Sequence, residues 1–143
     1  MTYVGPPSIY YGDEIGLEGA HDPLNRGAFP WDESTWDHEI RGHTRDLIRL
    51  RHDRASLRRG SFDFLYARDD TIAYLRRLGN DAVIIALNAG DRPSRIDLEL
   101  PADLAGPFRE FDTGGRVEAE AGRIRALEVA PRSARILATP IDG

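Results

Sequence analysis

No cysteine occurs in the 143 residues, which excludes disulfides, thiol catalysis and zinc–thiolate sites. The N-terminus has no basic region before Gly5-Pro6-Pro7 and does not read as a signal peptide. These two absences favour a cytoplasmic location over a secreted one without fixing it. No apolar run approaches the about 20 residues of a membrane span, so no membrane partner is expected. A basic excess is missing as well. Lys and Arg number 19 against 24 Asp and Glu, a net charge of -5, which speaks against a nucleic-acid partner. The histidines, His21, His38, His43 and His52, show no metal spacing. His38 and His43 lie five apart, off the four-residue step a helical pair of ligands needs. Phosphate loops, nucleophile elbows, repeats and low-complexity tracts are also missing, so neither a metal nor a cofactor is expected.

What is present is enough apolar content for a core, 41%, and one stretch that stands out: Gly5-Pro6-Pro7-Ser8-Ile9-Tyr10-Tyr11-Gly12-Asp13-Glu14-Ile15-Gly16. Prolines fix an extended approach, an apolar-aromatic run follows, and a glycine precedes two carboxylates. The pattern predicts a buried strand over residues 8–12 that opens into a polar loop. Residues 13–36 are dense in turn formers, and a loop of that length is often functional. Residues 37–54 predict a helix with the apolar stripe Ile40, Leu47, Ile48 and Leu50 and with Thr44 between. Ser34 or Thr35 is the expected N-cap, and the basic last turn suits the helix dipole. Gly42 inside that helix costs about 1 kcal/mol against alanine, and close packing is the one reason available for it.

From Ser61 the period changes from helix to strand. Phe62, Phe64 and Tyr66 alternate with Asp63 and Leu65; Asp69-Asp70 and Gly79-Asn80-Asp81 are turns. Ala82-Val83-Ile84-Ile85-Ala86-Leu87-Asn88 is apolar up to its last residue, as in a central strand covered on both faces. Short strands with frequent turn signals continue to the end and predict an antiparallel sandwich. The expected fold is therefore mainly β with one helix: a strand, loop and helix over residues 1–60, then a β-sandwich of roughly eight strands over residues 61–143.

The first stretch resembles the last barrel strand of α-amylase family glycoside hydrolases. The following Gly16-Leu17-Glu18-Gly19-Ala20-His21-Asp22-Pro23, with Arg26 and Pro30-Trp31-Asp32, is most similar to the neopullulanase, cyclomaltodextrinase and maltogenic amylase branch. Leu50-Arg51 and Leu57-Arg58-Arg59-Gly60-Ser61-Phe62 match the passage from the last barrel helix into the C-terminal sandwich. The resemblance implies that residues 1–60 are a remnant of a (β/α)8 barrel. It also implies α-glucan oligosaccharides (maltooligosaccharides, cyclodextrins or pullulan) as the parent's substrate.

Retaining glycosidases need two carboxylates about 5–5.5 Å apart across the scissile bond. In the family these stand on earlier barrel strands, whose motifs are not in this sequence. Asp13 and Glu14 cannot replace them, since neighbours at a strand end point to opposite sides. No catalytic residue is therefore assigned, and the chain alone is expected to be inactive. Tyr11, Asp13 and Glu14 read as structural at the strand end. Asp22 and Arg26 are the candidate substrate contacts, since in the resembled branch the Asp and Arg of this loop approach a glucose unit on the non-reducing side of the cleavage point. Carboxylate and guanidinium bond well to sugar hydroxyls; the plain alternative is an Asp-Pro turn with a solvated arginine. Gly27 stands where relatives often carry a polar or basic residue. Trp31 and Trp36 read as packing anchors rather than sugar platforms.

A barrel strand without its parallel neighbours is an exposed edge, which predicts self-association through residues 1–30. A different class of function, a stand-alone sandwich acting as a carbohydrate-binding or scaffolding module, fits less well. Most aromatics of residues 61–143 fall at alternating, core-like positions.

Overall fold

The computed structural model describes residues 1–19 and 21–140, the side chain of Leu24 excepted. Ala20 of the loop motif thus lies outside the described residues. Two compact units divide the chain, Met1–Asp53 and Arg54–Gly143.

The second unit is a two-sheet β-sandwich. Strands β1 (Ser61–Arg68), β2 (Thr71–Leu78) and β3 (Asp81–Asn88) run as successive hairpins, and β8 (Ser133–Ala138) returns to pair with β3. Strands β5 (Phe108–Glu110) and β6 (Arg116–Val117) complete a six-stranded antiparallel sheet in the order β1-β2-β3-β8-β5-β6. Strands β4 (Ser94–Glu99) and β7 (Arg123–Val129) form the second, two-stranded sheet.

The period-2 pattern explains the core. Ala73, Leu75, Ala82, Ile84, Ala86 and Leu137 from the large sheet meet Ile96, Leu98, Ile124, Leu127 and Val129 from the small one, with Phe108 and Leu104 closing an end. The alternate residues of β2, β3 and β8 (Tyr74, Arg76, Val83, Ile85 and Ile136) are buried too, so β3 is covered on both faces. Arg76 donates its Nε hydrogen to the Ser61 carbonyl at 2.8 Å. Buried Asn88 donates to the Arg92, Val129 and Ala130 carbonyls and accepts from the Gly90 N–H, leaving none of its amide unpaired.

Two expectations change here. A second helix, α2 (Ala55–Arg59), exists beside α1 (His38–Asp53) and packs on β2 and β3, with Leu57 fully buried. The Asp81 carboxylate accepts the Ser56 N–H at 2.8 Å near the start of α2. A Cβ on Gly60 would lie 2.6 Å from the Arg77 carbonyl oxygen, so the chain can pass from α2 into β1 only without a side chain there. The line between units accordingly falls before α2. In β1, a bulge between Phe64 and Tyr66 switches the register. Tyr66 packs toward the core, while Phe64 pairs with Tyr74 on the opposite face and is 60% exposed. The simple alternation read from Phe62, Phe64 and Tyr66 does not survive the inserted residue.

The first unit differs most from expectation. Residues 8–12 form no strand; residues 6–10 have no regular structure, and residues 11–12 turn into a 3-10 turn at Asp13–Ile15. A strand needs a hydrogen-bonded neighbour, and no described residues supply one. Helix α1 spans the expected region, but its cap is Asp37, whose Oδ1 accepts the Glu39 and Ile40 N–H groups at 3.0 and 2.9 Å. Ser34 and Thr35 instead lie in a separate 3-10 turn capped by Asp32, whose carboxyl the Ser34 hydroxyl and N–H hold below the usual carboxylate range.

Candidate functional site

The stretch after the proline pair is shaped by two left-handed glycines, Gly12 (φ 94°) and Gly16 (φ 72°), which flank the turn at Asp13–Ile15. A Cβ on Gly12 would sit 2.6 Å from Leu17 Cδ2. Glu14 Oε2 accepts the Gly12 N–H at 2.9 Å, and the Ile15 carbonyl accepts the Asp37 N–H at 3.0 Å. The turn is thereby tied to the start of α1, with Ile15 buried. Asp13 and Glu14 occupy this turn instead of a strand end, so strand alternation does not set their directions. Glu14 is engaged with backbone, and Asp13 is exposed.

Tyr11 donates its hydroxyl hydrogen to the Gly27 carbonyl at 3.0 Å, joining the turn to the far side of the loop. Its ring lies 4.7 Å from that of Tyr10, tilted by 40°. Desolvation, and after it the Tyr10 hydroxyl, pushes the Tyr11 phenol above its ordinary value. Tyr10, Tyr11, Asp13, Asn25 and Gly27 help line a small depression of about 190 Å³.

Asp22 and Arg26 lie one turn apart, and Arg26 Nε meets Asp22 Oδ1 at 3.0 Å. Their side chains are 63% and 72% exposed. The structure therefore brings the two candidate substrate contacts together as one neutral pair, with guanidinium donors and carboxylate acceptors open to a polyhydroxylated ligand.

The tryptophans separate. Trp36 donates its indole N–H to the Pro30 carbonyl at 2.7 Å and carries the Arg41 guanidinium 4.4 Å above its ring. Trp31 is 83% exposed and touches Phe29, at 4.9 Å between centroids; it is not a packing anchor within the described residues. One further support escaped the sequence reading. Arg51 of α1 donates to the carbonyls of Met1, at 2.7 Å, and Gly5, at 2.6 Å. Arginine near a helix end is so common a dipole partner that nothing in the sequence singled it out.

Residues 62–137 match the family model described as Neopullulanase-like, C-terminal domain. A cyclomaltodextrinase from a Bacillus species is 45% identical over 90 residues, 62% of this chain and 16% of that protein. Neopullulanase 2 of Thermoactinomyces vulgaris is 34% identical over 139 residues, 96% of this chain and 24% of that protein. A solved cyclomaltodextrinase structure superposes with a TM-score of 0.86 at 30% identity, over 97% of this chain and 24% of that one. The chain spans less than a quarter of the length of these relatives.

Proposed function

Because this chain belongs to the neopullulanase-like C-terminal domain family, we propose that it is the C-terminal part of an α-amylase-family glycoside hydrolase. The parent enzyme cleaves α-glucosidic bonds of maltooligosaccharides, cyclodextrins or pullulan. The observation that carries this reading is the match of the sandwich to that family, joined to likeness that extends through the first unit to a cyclomaltodextrinase and a neopullulanase. In this reading residues 1–53 are the end of a barrel whose earlier strands hold the acid/base and nucleophile. Asp22 and Arg26 bond to a glucose unit on the non-reducing side of the cleaved bond. Tyr11, Asp13 and Glu14 shape the loop that presents them. The exposed apolar side chains of the first unit support the reading, since a barrel would cover them.

Two measurements test it. The purified 143-residue chain should release no maltose from cyclodextrin or pullulan. A chimera in which this chain replaces the matching segment of neopullulanase 2 should hydrolyse both. In the chimera, Asp22→Ala and Arg26→Ala should each weaken maltotriose hydrolysis (kcat/KM) by about ten- to a hundredfold, the loss expected when a hydrogen bond to a charged group is removed. Sugar release by the chain alone, or a folded chimera with no activity, would overturn the assignment.

A further inference from the structure

Outside the loop, the second unit carries an open groove of about 940 Å³ lined by β1 on one side and by β4 and β7 on the other. Strands β1 and β4 each have a single hydrogen-bonded neighbour, so each presents a free backbone edge. The groove's side chains are unevenly satisfied. Asp97 Oδ1 accepts the Ala126 N–H at 2.6 Å, and Glu99 is paired with Arg123 at 2.7 Å. The guanidinium groups of Arg68, Arg95 and Arg125 line the same groove, all exposed, with no carboxylate within ion-pair distance among the described residues. Elsewhere in this unit Arg54, Arg77, Arg116, Arg123, Arg132 and Arg135 each hold a carboxylate. Residues 54–143 contain as many arginines as carboxylates, fourteen of each. Within the groove three arginines meet two carboxylates, Asp97 and Glu99, and Glu99 is already held by Arg123, so the groove carries a local positive excess in a unit that is neutral as a whole.

We infer that this groove binds an extended acidic peptide segment, its main chain added to the free edge of β4 and its carboxylates paired with Arg68, Arg95 and Arg125. Strand addition supplies backbone bonds, and alternate side chains of the added strand fall on one face, toward the arginines. Guanidinium forks match carboxylates bidentately. A neutral glucan fits less well. Stacking on a sugar ring needs an open aromatic face, and the groove's aromatic, Tyr66, is half-buried against the core. A polyphosphate chain has no backbone N–H and C=O groups to pair with the free edge of β4.

The test uses the full chain and a fluorescein-labelled peptide of four Thr-Glu repeats, followed by anisotropy. Saturable binding is expected, weakened several-fold when NaCl rises from about 50 to about 300 mM. The variant R68E/R95E/R125E should bind on the order of tenfold more weakly, with an unchanged circular dichroism spectrum. Should that variant unfold, Arg95→Gln alone should still weaken binding measurably. Arg109→Glu, on β5 and also exposed, should leave affinity unchanged. Amide shifts on titration should concentrate in residues 61–68 and 94–99. Absence of saturable binding, an equal loss in Arg109→Glu, shifts centred elsewhere, or displacement of the peptide by maltotriose would each overturn the proposal.

Discussion

The first 53 residues and the remaining 90 are held together by different physics. Among the buried apolar side chains of the described residues, Ile15 and Leu50 belong to the first unit and all others to the second. The first unit instead exposes Tyr3, Val4, Ile9, Tyr10, Tyr11, Leu17, Trp31 and Ile40. Its order rests on bonds to backbone: Arg51 on three early carbonyls, Tyr11 on Gly27, Asp37 at the start of α1, Trp36 on Pro30. Charge divides the same way. The first unit has ten carboxylates against five arginines, so the whole excess of -5 lies there. The contrast shows that apolar periodicity is enough to make a helix, but a core needs two faces to meet. The sandwich has both; the strand-less N-terminal stretch has one.

The largest effect that could break this comparison comes from matched truncations. Ile84 is fully buried, and Ile84→Ala should cost the second unit about 2–5 kcal/mol through lost burial and the cavity left behind. Ile9→Ala should cost about 0.5 kcal/mol or less, since Ile9 is already exposed. Denaturant unfolding followed by fluorescence and circular dichroism measures both. Equal losses would mean that the first unit has a core of its own.

A second effect concerns association. The strand edge expected to drive it is not formed, but the exposed apolar side chains at residues 3, 4, 9, 10 and 11 remain, and they favour self-association of the isolated chain. Light scattering at tens of micromolar should show a mass above that of the 16.0 kDa chain. Replacing Ile9 and Tyr10 by aspartate should return it to a monomer. A monomer before substitution removes the proposal.

The third effect sharpens the comparison through pH. Glu110, about 14% exposed, receives the Arg135 guanidinium, whose hydrogen bond holds its carboxyl below the ordinary value against the opposing desolvation. The Thr113 hydroxyl adds to the lowering. A carboxyl depressed in the folded state contributes stability that is fully present above its unfolded pKa and lost as pH falls through the folded one. The sandwich should therefore lose stability as pH drops below about 4.3, the ordinary glutamate value. Glu110→Gln should be less stable near neutral pH and should flatten that acid limb. An unchanged limb would show that the Arg135 pair does not govern it.

The sandwich was legible in the sequence because its turns and its alternation are local signals. Asp69-Asp70 and Gly79-Asn80 punctuate β1, β2 and β3, and the six-residue apolar run of β3 announces burial on both faces. The bulge at Leu65 was not legible, since one inserted residue leaves no mark in composition yet reverses Phe64 and Tyr66. The strand over residues 8–12 was misread for a related reason. Its pattern describes a partner-dependent element, and pairing is not written in the strand itself. Asp22 and Arg26 could be picked out by residue type and resemblance, but their mutual ion pair follows from the turn between them. The Arg51 and Tyr11 tethers bridge 46 and 16 positions and have no local signature.

Gly42 offers the smallest test and the most direct one. Its place inside α1 had a single available excuse, close packing against a neighbour. The structure removes it, because a Cβ built on Gly42 meets nothing within 4 Å. The position is helical, so alanine can adopt its conformation without strain. Alanine also lowers the entropy of the unfolded chain. Gly42→Ala should thus stabilise α1 by about 1 kcal/mol, which a unit lacking a closed core should register as higher helical ellipticity and slower amide exchange over residues 38–53. The sandwich, which does not contain this helix, should keep its unfolding midpoint. If the substitution destabilises α1 instead, something outside the described residues packs against that glycine, and the first unit is less open than its exposed side chains imply.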